Sequence, residues 1–82
     1  MKLINIGYGN MVSSDKIIAI VSPEAAPVKR IVQEAKEKGL AIDATQGKKT
    51  LSVIICESDH IVLSAISIES ISNRVEGYKE NE

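Results

Sequence analysis

Hydrophobic positions along the chain fall into short runs broken by turn residues, with one stretch of helical period between them. Leu3-Ile4-Asn5-Ile6 has the length and β-branched content of a strand, and Gly7-Tyr8-Gly9-Asn10 ends it with residues that accept positive φ. Met11 to Ser14 reads as a second short extended piece. Lys16-Ile17-Ile18-Ala19-Ile20-Val21 is a near-continuous apolar run, the pattern of a strand buried on both faces. Ser22-Pro23-Glu24 is then a helix-start signature, combining a capping hydroxyl, a proline that needs no N–H and an acid near the positive end of the dipole. Val28, Ile31, Val32 and Ala35 follow at helical spacing, while Lys29, Arg30, Gln33, Glu34, Lys36 and Glu37 occupy the other sides. The pattern predicts one amphipathic helix over about residues 24–38, with Pro27 tolerated in its first turn, Glu34 pairing with Lys38, and Gly39 as the left-handed stop.

Beyond the helix, Leu40 to Thr45 and Thr50 to Cys56 flank the tip Gln46-Gly47-Lys48-Lys49, a spacing that predicts a β-hairpin with Gly47 absorbing the strained dihedral. Glu57-Ser58-Asp59 is turn chemistry and His60 to Ser64 reads as a returning strand, so the three segments are expected to form a meander. Ser67 is placed to cap a short closing helix through Val75, with Ile68, Ile71 and Val75 on one side, although Ile66 to Ile71 also fits a strand period. The order of elements predicts a small α+β domain built on a mainly antiparallel sheet, with one amphipathic helix and a short C-terminal helix.

Size and composition change this picture in one respect. With 82 residues, no Trp, no Phe and a single cysteine, the chain has neither aromatic bulk nor a disulfide to support a small core. Cys56 and the solitary His60 do not make a zinc site alone, and no metal or other cofactor is expected. Self-association is the remaining remedy. No segment has the run of roughly 18 apolar residues that spans a bilayer, and Met1-Lys2-Leu3-Ile4-Asn5 turns polar too soon for a signal peptide, so a cytoplasmic protein is expected. The net charge of −1 runs against the basic excess usual in nucleic-acid binders. Yet Glu76, Glu80 and Glu82 lie in the polar end 76–82, read as a disordered tail, and the body without it is slightly basic.

Candidate chemistry is sparse. Gly7-x-Gly9 lacks the third glycine and the following helix of a dinucleotide turn, and suffices as a tight turn. Cys56, Asp59 and His60 have the residue types of a nucleophile, an orienting acid and a base, but a buried small cysteine and a turn aspartate account for them more simply. No catalytic residue is assigned and no small-molecule substrate is expected. Asp43, among apolar neighbours, needs a partner, for which a backbone N–H, Thr45 or Lys48 are candidates. Lys29 and Arg30 belong to the wet side of the helix and are additional candidates for nucleic-acid contact. Lys48 and Lys49 at the tip, with Lys16 near another strand end, are the cations best placed to meet a polyanion. No aromatic residue is interleaved with them apart from the sequence-distant Tyr8, which speaks against base stacking in the style of single-strand binders.

The runs Asn5-Ile6-Gly7-Tyr8-Gly9-Asn10, Ile20-Val21-Ser22-Pro23-Glu24-Ala25-Ala26-Pro27-Val28-Lys29-Arg30, Ile42-Asp43-Ala44-Thr45-Gln46-Gly47 and Ser58-Asp59-His60 together resemble the RemA family of bacterial extracellular matrix regulatory proteins. The resemblance runs from about Lys2 to Val75. It implies a DNA-binding transcriptional activator of biofilm-matrix operons that works as a ring-like homo-oligomer, with residues 1–75 as one DNA-binding and oligomerisation domain and 76–82 as the tail. The family's basic DNA contacts match Lys16, Lys48 and Lys49. Arginine is frequent at these positions in the family, and lysine keeps the charge but loses the bidentate fork. The alternative is an oligomeric interaction module that binds a protein partner or RNA, with Lys48 and Lys49 serving solubility.

Overall fold

The computed structural model describes residues 2–77. Six strands and two helices follow one another as β1 (Leu3–Gly7), β2 (Asn10–Ser13), β3 (Ile17–Val21), α1 (Ala26–Lys38), β4 (Ala41–Asp43), β5 (Ser52–Cys56), β6 (Ile61–Ser64) and α2 (Ile68–Glu76), with a single 3-10 turn at Ser14–Lys16. β1 and β2 form an antiparallel hairpin, and the other four strands form one sheet in the order β3-β5-β6-β4. This is the expected α+β domain on a mostly antiparallel framework.

The sheet lies between two layers. Strand period carries Val53, Ile61 and Leu63 to one face, where Val28 and Ala35 of α1 cover them, and Ile54, Cys56 and Val62 to the other, where they meet Ile4, Ile6, Ala44 and Ile71. Buried serines join the hairpin layer to the sheet. Ser64 Oγ donates to the Ile6 carbonyl at 2.8 Å and accepts from Ile66 N–H at 3.0 Å, while Ser52 Oγ donates to the Ile66 carbonyl at 2.8 Å. Arg74 Nη1 donates to the Asn5 carbonyl at 2.7 Å and ties α2 to β1.

Three expectations about the strands are corrected. β4 does not pair with β5, so the predicted hairpin and meander do not form. β4 runs parallel to β6, Ala41 opposite Ile61, and β6 sits between β4 and β5. All four residues of β6 are buried, and such a strand requires a neighbour on each side. The run Ile17–Val21 is an edge strand rather than one buried on both faces, and Ile18 is 64% exposed.

The long helix begins at Ala26, two residues later than the expected start at about residue 24. Ala25 is its N-cap without a side-chain bond, and Ser22 Oγ instead accepts from Glu24 N–H at 3.2 Å within its own turn. Ser22 to Glu24 form a separate turn and Ala25 is still extended at φ −70° and ψ 135°, so helical dihedrals begin only at Ala26. Starting at Ala26 puts Pro27 among donors that have no helical partner anyway. Along its exposed side, Gln33 Nε2 donates to Glu37 Oε2 at 3.3 Å, and among the described residues the expected Glu34–Lys38 pair is not formed. Ser67 caps α2 as expected, accepting from Ser70 N–H at 3.2 Å, and the helix continues to Glu76 with Gly77 as its left-handed stop. The remainder of the expected tail, 78–82, lies outside the described residues.

Candidate functional site

The segment 44–51 is an arch over the end of β6. Ala44 N–H donates to the Leu63 carbonyl at 2.9 Å on one flank, and Leu51 N–H to the Ser64 carbonyl at 2.8 Å on the other. Its shape is set by residues 43–48. Asp43 Oδ1 accepts from Thr45 N–H at 2.9 Å and from Thr45 Oγ1 at 2.6 Å, which supplies the partner the sequence demanded. The Thr45 hydroxyl, then its N–H, hold the Asp43 carboxyl below its ordinary range against the opposing effect of desolvation. Lys48 N–H then donates to the Thr45 carbonyl at 2.9 Å, closing a turn whose central residues Gln46 and Gly47 have φ of 55° and 79°. Two successive positive φ values are the type I′ signature. Ala44 and Thr45 are buried while Gln46, Gly47, Lys48 and Lys49 are exposed, so a fixed base carries the two ammonium groups into solvent.

The other predicted cations divide between the two ends of the sheet. Lys29 lines a groove of about 230 Å³ between α1 and the sheet, together with Lys36 and Thr50, and so stands beside the arch. Lys36 was legible in the sequence only as part of a solvated helix side. Arg30, the next residue of α1, borders a separate hollow with Ala26, Pro27 and Ile31. Lys16 is exposed where β3 begins, and its carbonyl accepts from Glu57 N–H at 2.8 Å. Ile17 is opposite Cys56 and Val21 opposite Val53, so Lys16 lies at the far end of β5 from the arch. A strand of this length spans about 17 Å. The lysines therefore form two separate positive groups, not one three-lysine patch.

Tyr8 proves to be a neighbour of the arch. Gly7, Tyr8 and Gly9 all have positive φ, with Asn10 Nδ2 donating to the Gly7 carbonyl at 3.0 Å. This turn and the arch face each other across an open cleft of about 500 Å³ lined by Tyr8, Asn10, Asp43, Ala44, Gln46 and Gly47.

The thiol and imidazole are not a catalytic pair in this geometry. Cys56 is buried in the core and burial pushes its thiol up, away from the reactive thiolate. His60 Nδ1 is 2.8 Å from Ser58 Oγ, and the contact between residues 56 and 60 is the backbone bond from Cys56 N–H to the His60 carbonyl. Among the described residues no three His, Cys, Asp or Glu side chains gather as metal ligands, and no helix is long and apolar enough to cross a membrane.

Comparison with known proteins gives one family and a consistent set of relatives. Residues 3–75 match the family described as RemA-like, Extracellular matrix regulatory protein A-like. A Thermoanaerobacter sp. protein is 58% identical over 80 residues, covering 98% of this chain and 83% of the relative. One from Halothermothrix orenii is 56% identical over 81 residues, covering 99% and 96%. One from Geobacillus thermodenitrificans is 58% identical over 77 residues, covering 94% and 88%. Each of the three bears the name "Putative regulatory protein". Matched across the hairpin, both helices and all four strands of the main sheet, the chain belongs to the RemA-like family.

Proposed function

We propose that this protein is a cytoplasmic DNA-binding transcriptional regulator, an activator of extracellular-matrix operons, that holds duplex DNA through lysines repeated around a homo-oligomeric ring. The observation that carries this reading is the arch, where a buried Ala44-Thr45 base and a closed type I′ turn hold Lys48 and Lys49 outward together. A loop that merely needed solubility has no use for so fixed a base. The names borne by the family and its relatives support a regulatory role.

Multiplicity is required by the charge count. Lys16, Lys48 and Lys49 neutralise only a few phosphates in one copy, which gives weak and salt-sensitive attachment. Repeating them around an assembly makes later contacts intramolecular, with avidity gains of roughly 10²–10⁴. The sheet has material for such an assembly at its edges, since β3 exposes Ile18 and β4 exposes Ile42 beside unpaired backbone groups. Two different edges meeting head to tail generate a ring when the rotation closes.

Fluorescence anisotropy of the full chain with an AT-rich duplex, titrated at several salt concentrations, tests this. Affinity is expected to fall steeply with salt, and Lys48→Ala and Lys49→Ala should each weaken binding several-fold and flatten the slope without changing the mass seen by light scattering. Binding that ignores salt, or an assembly that ignores duplex DNA at low ionic strength, overturns the reading.

A further inference from the structure

The two positive-φ residues other than glycine that face the cleft are Tyr8 and Gln46, with φ of 56° and 55°. Neither tyrosine nor glutamine favours this region as Asn, Asp and Gly do, so neither was needed to make its turn. Strain of this kind persists where a side chain is wanted for another purpose. Both residues are exposed, and among the described residues neither side chain forms a hydrogen bond. Two free polar heads therefore stand on opposite rims of one cleft, immediately before Lys48 and Lys49.

The chemistry of the cleft selects its occupant. Asp43 is held ionised at its wall and repels phosphate, so the backbone of a nucleic acid is directed to Lys48 and Lys49 rather than into the cleft. Asp43 uses Oδ1 for both bonds to Thr45, and Asn10 donates from Nδ2 toward its own turn, which leaves carboxylate and amide oxygens as acceptors. Gln46 adds both a donor and an acceptor. Acceptors grouped in this way suit an exocyclic amine, and a glutamine amide pairs in bidentate fashion with adenine N6 and N7 in the major groove.

Resting on the DNA-binding reading above, we propose that the cleft between the two turns is the base-reading part of the interface. Gln46 contacts the N6 and N7 edge of adenine, Tyr8 packs against the adjoining sugar or base, and Lys48 and Lys49 hold the neighbouring phosphates. Affinity then resides in the lysines and sequence preference in two neutral residues.

The test uses the full chain and two synthetic duplexes of identical sequence, one containing adenine and the other 7-deazaadenine, which removes N7 with little change to the helix. Wild-type protein should bind the deaza duplex about tenfold more weakly, because the Gln46 amide N–H loses its N7 acceptor and is left unpaired while the N6 contact remains. Gln46→Gly, which accepts the same φ, should bind both duplexes alike while keeping the salt slope. Tyr8→Asn should weaken binding to both. Wild-type binding that does not distinguish the duplexes overturns the inference, as does a Gln46→Gly protein that still does. If Lys48→Ala weakens binding while these ratios stay flat, base reading alone fails. If no duplex is bound at all, the DNA-binding reading falls with it.

Discussion

At the scale of single residues, Asp43 and Thr45 show what a sequence discloses about a site. A carboxylate among apolar neighbours had to find a donor, and Thr45, two residues on, supplies two of them. The folded pKa of Asp43 lies below its ordinary value of 3.8. Its contribution to stability is therefore complete above that value and is lost as pH falls through the lower, folded one. Urea unfolding followed from about pH 5 to pH 2 should show wild type losing more stability than Asp43→Asn, by a modest margin because the carboxyl is exposed to screening solvent. Thr45→Val should cost about 1 kcal/mol at neutral pH through loss of the hydroxyl bond. Tyr8 and Gln46 were not legible in the same way. Nothing in residue type announces that a glutamine adopts positive φ, and the approach of the two turns is made by tertiary packing rather than local pattern.

Among elements, turn chemistry was legible and strand pairing was not. Gln46-Gly47 does reverse the chain as a type I′ turn, yet the segments on either side are separated by β6 instead of pairing. A turn specifies only its own dihedrals, whereas the choice of neighbours depends on which run can be buried on both faces. Of the two apolar runs, Ile17–Val21 and Ile61–Ser64, the second took the central place. Its last residue shows why the difference matters. Ser64 is fully buried and satisfies both the Ile6 carbonyl and the Ile66 N–H, so it links the hairpin layer to the sheet. Ser64→Ala should lower unfolding free energy by about 1–3 kcal/mol in a urea titration, because two buried groups lose a partner at once. A change of a few tenths would mean that solvent reaches this junction. Ser64 looked like an ordinary strand end in the sequence, since the carbonyl it donates to, that of Ile6, is 58 residues away along the chain.

For the whole molecule, the displaced apolar run acquires a purpose. A five-residue edge of Ile17-Ile18-Ala19-Ile20-Val21 contains none of the charges or prolines that keep exposed edges from pairing. On the proposed reading, another copy of the chain covers this edge and supplements a small core without Trp or Phe. Ile18→Lys places a charge on that edge at a position already 64% exposed, so the protomer fold should survive, as judged by circular dichroism. Light scattering should then report a smaller particle. The effect on DNA separates the two roles of charge. If protomers bound independently, an added ammonium group would tighten their hold on phosphate. If the assembly provides the grip, the same substitution should weaken duplex binding by more than Lys48→Ala does, because it removes multiplicity and not one contact among many. A tighter complex from a dispersed Ile18→Lys protein would therefore refute the ring while leaving the lysines their attraction for DNA.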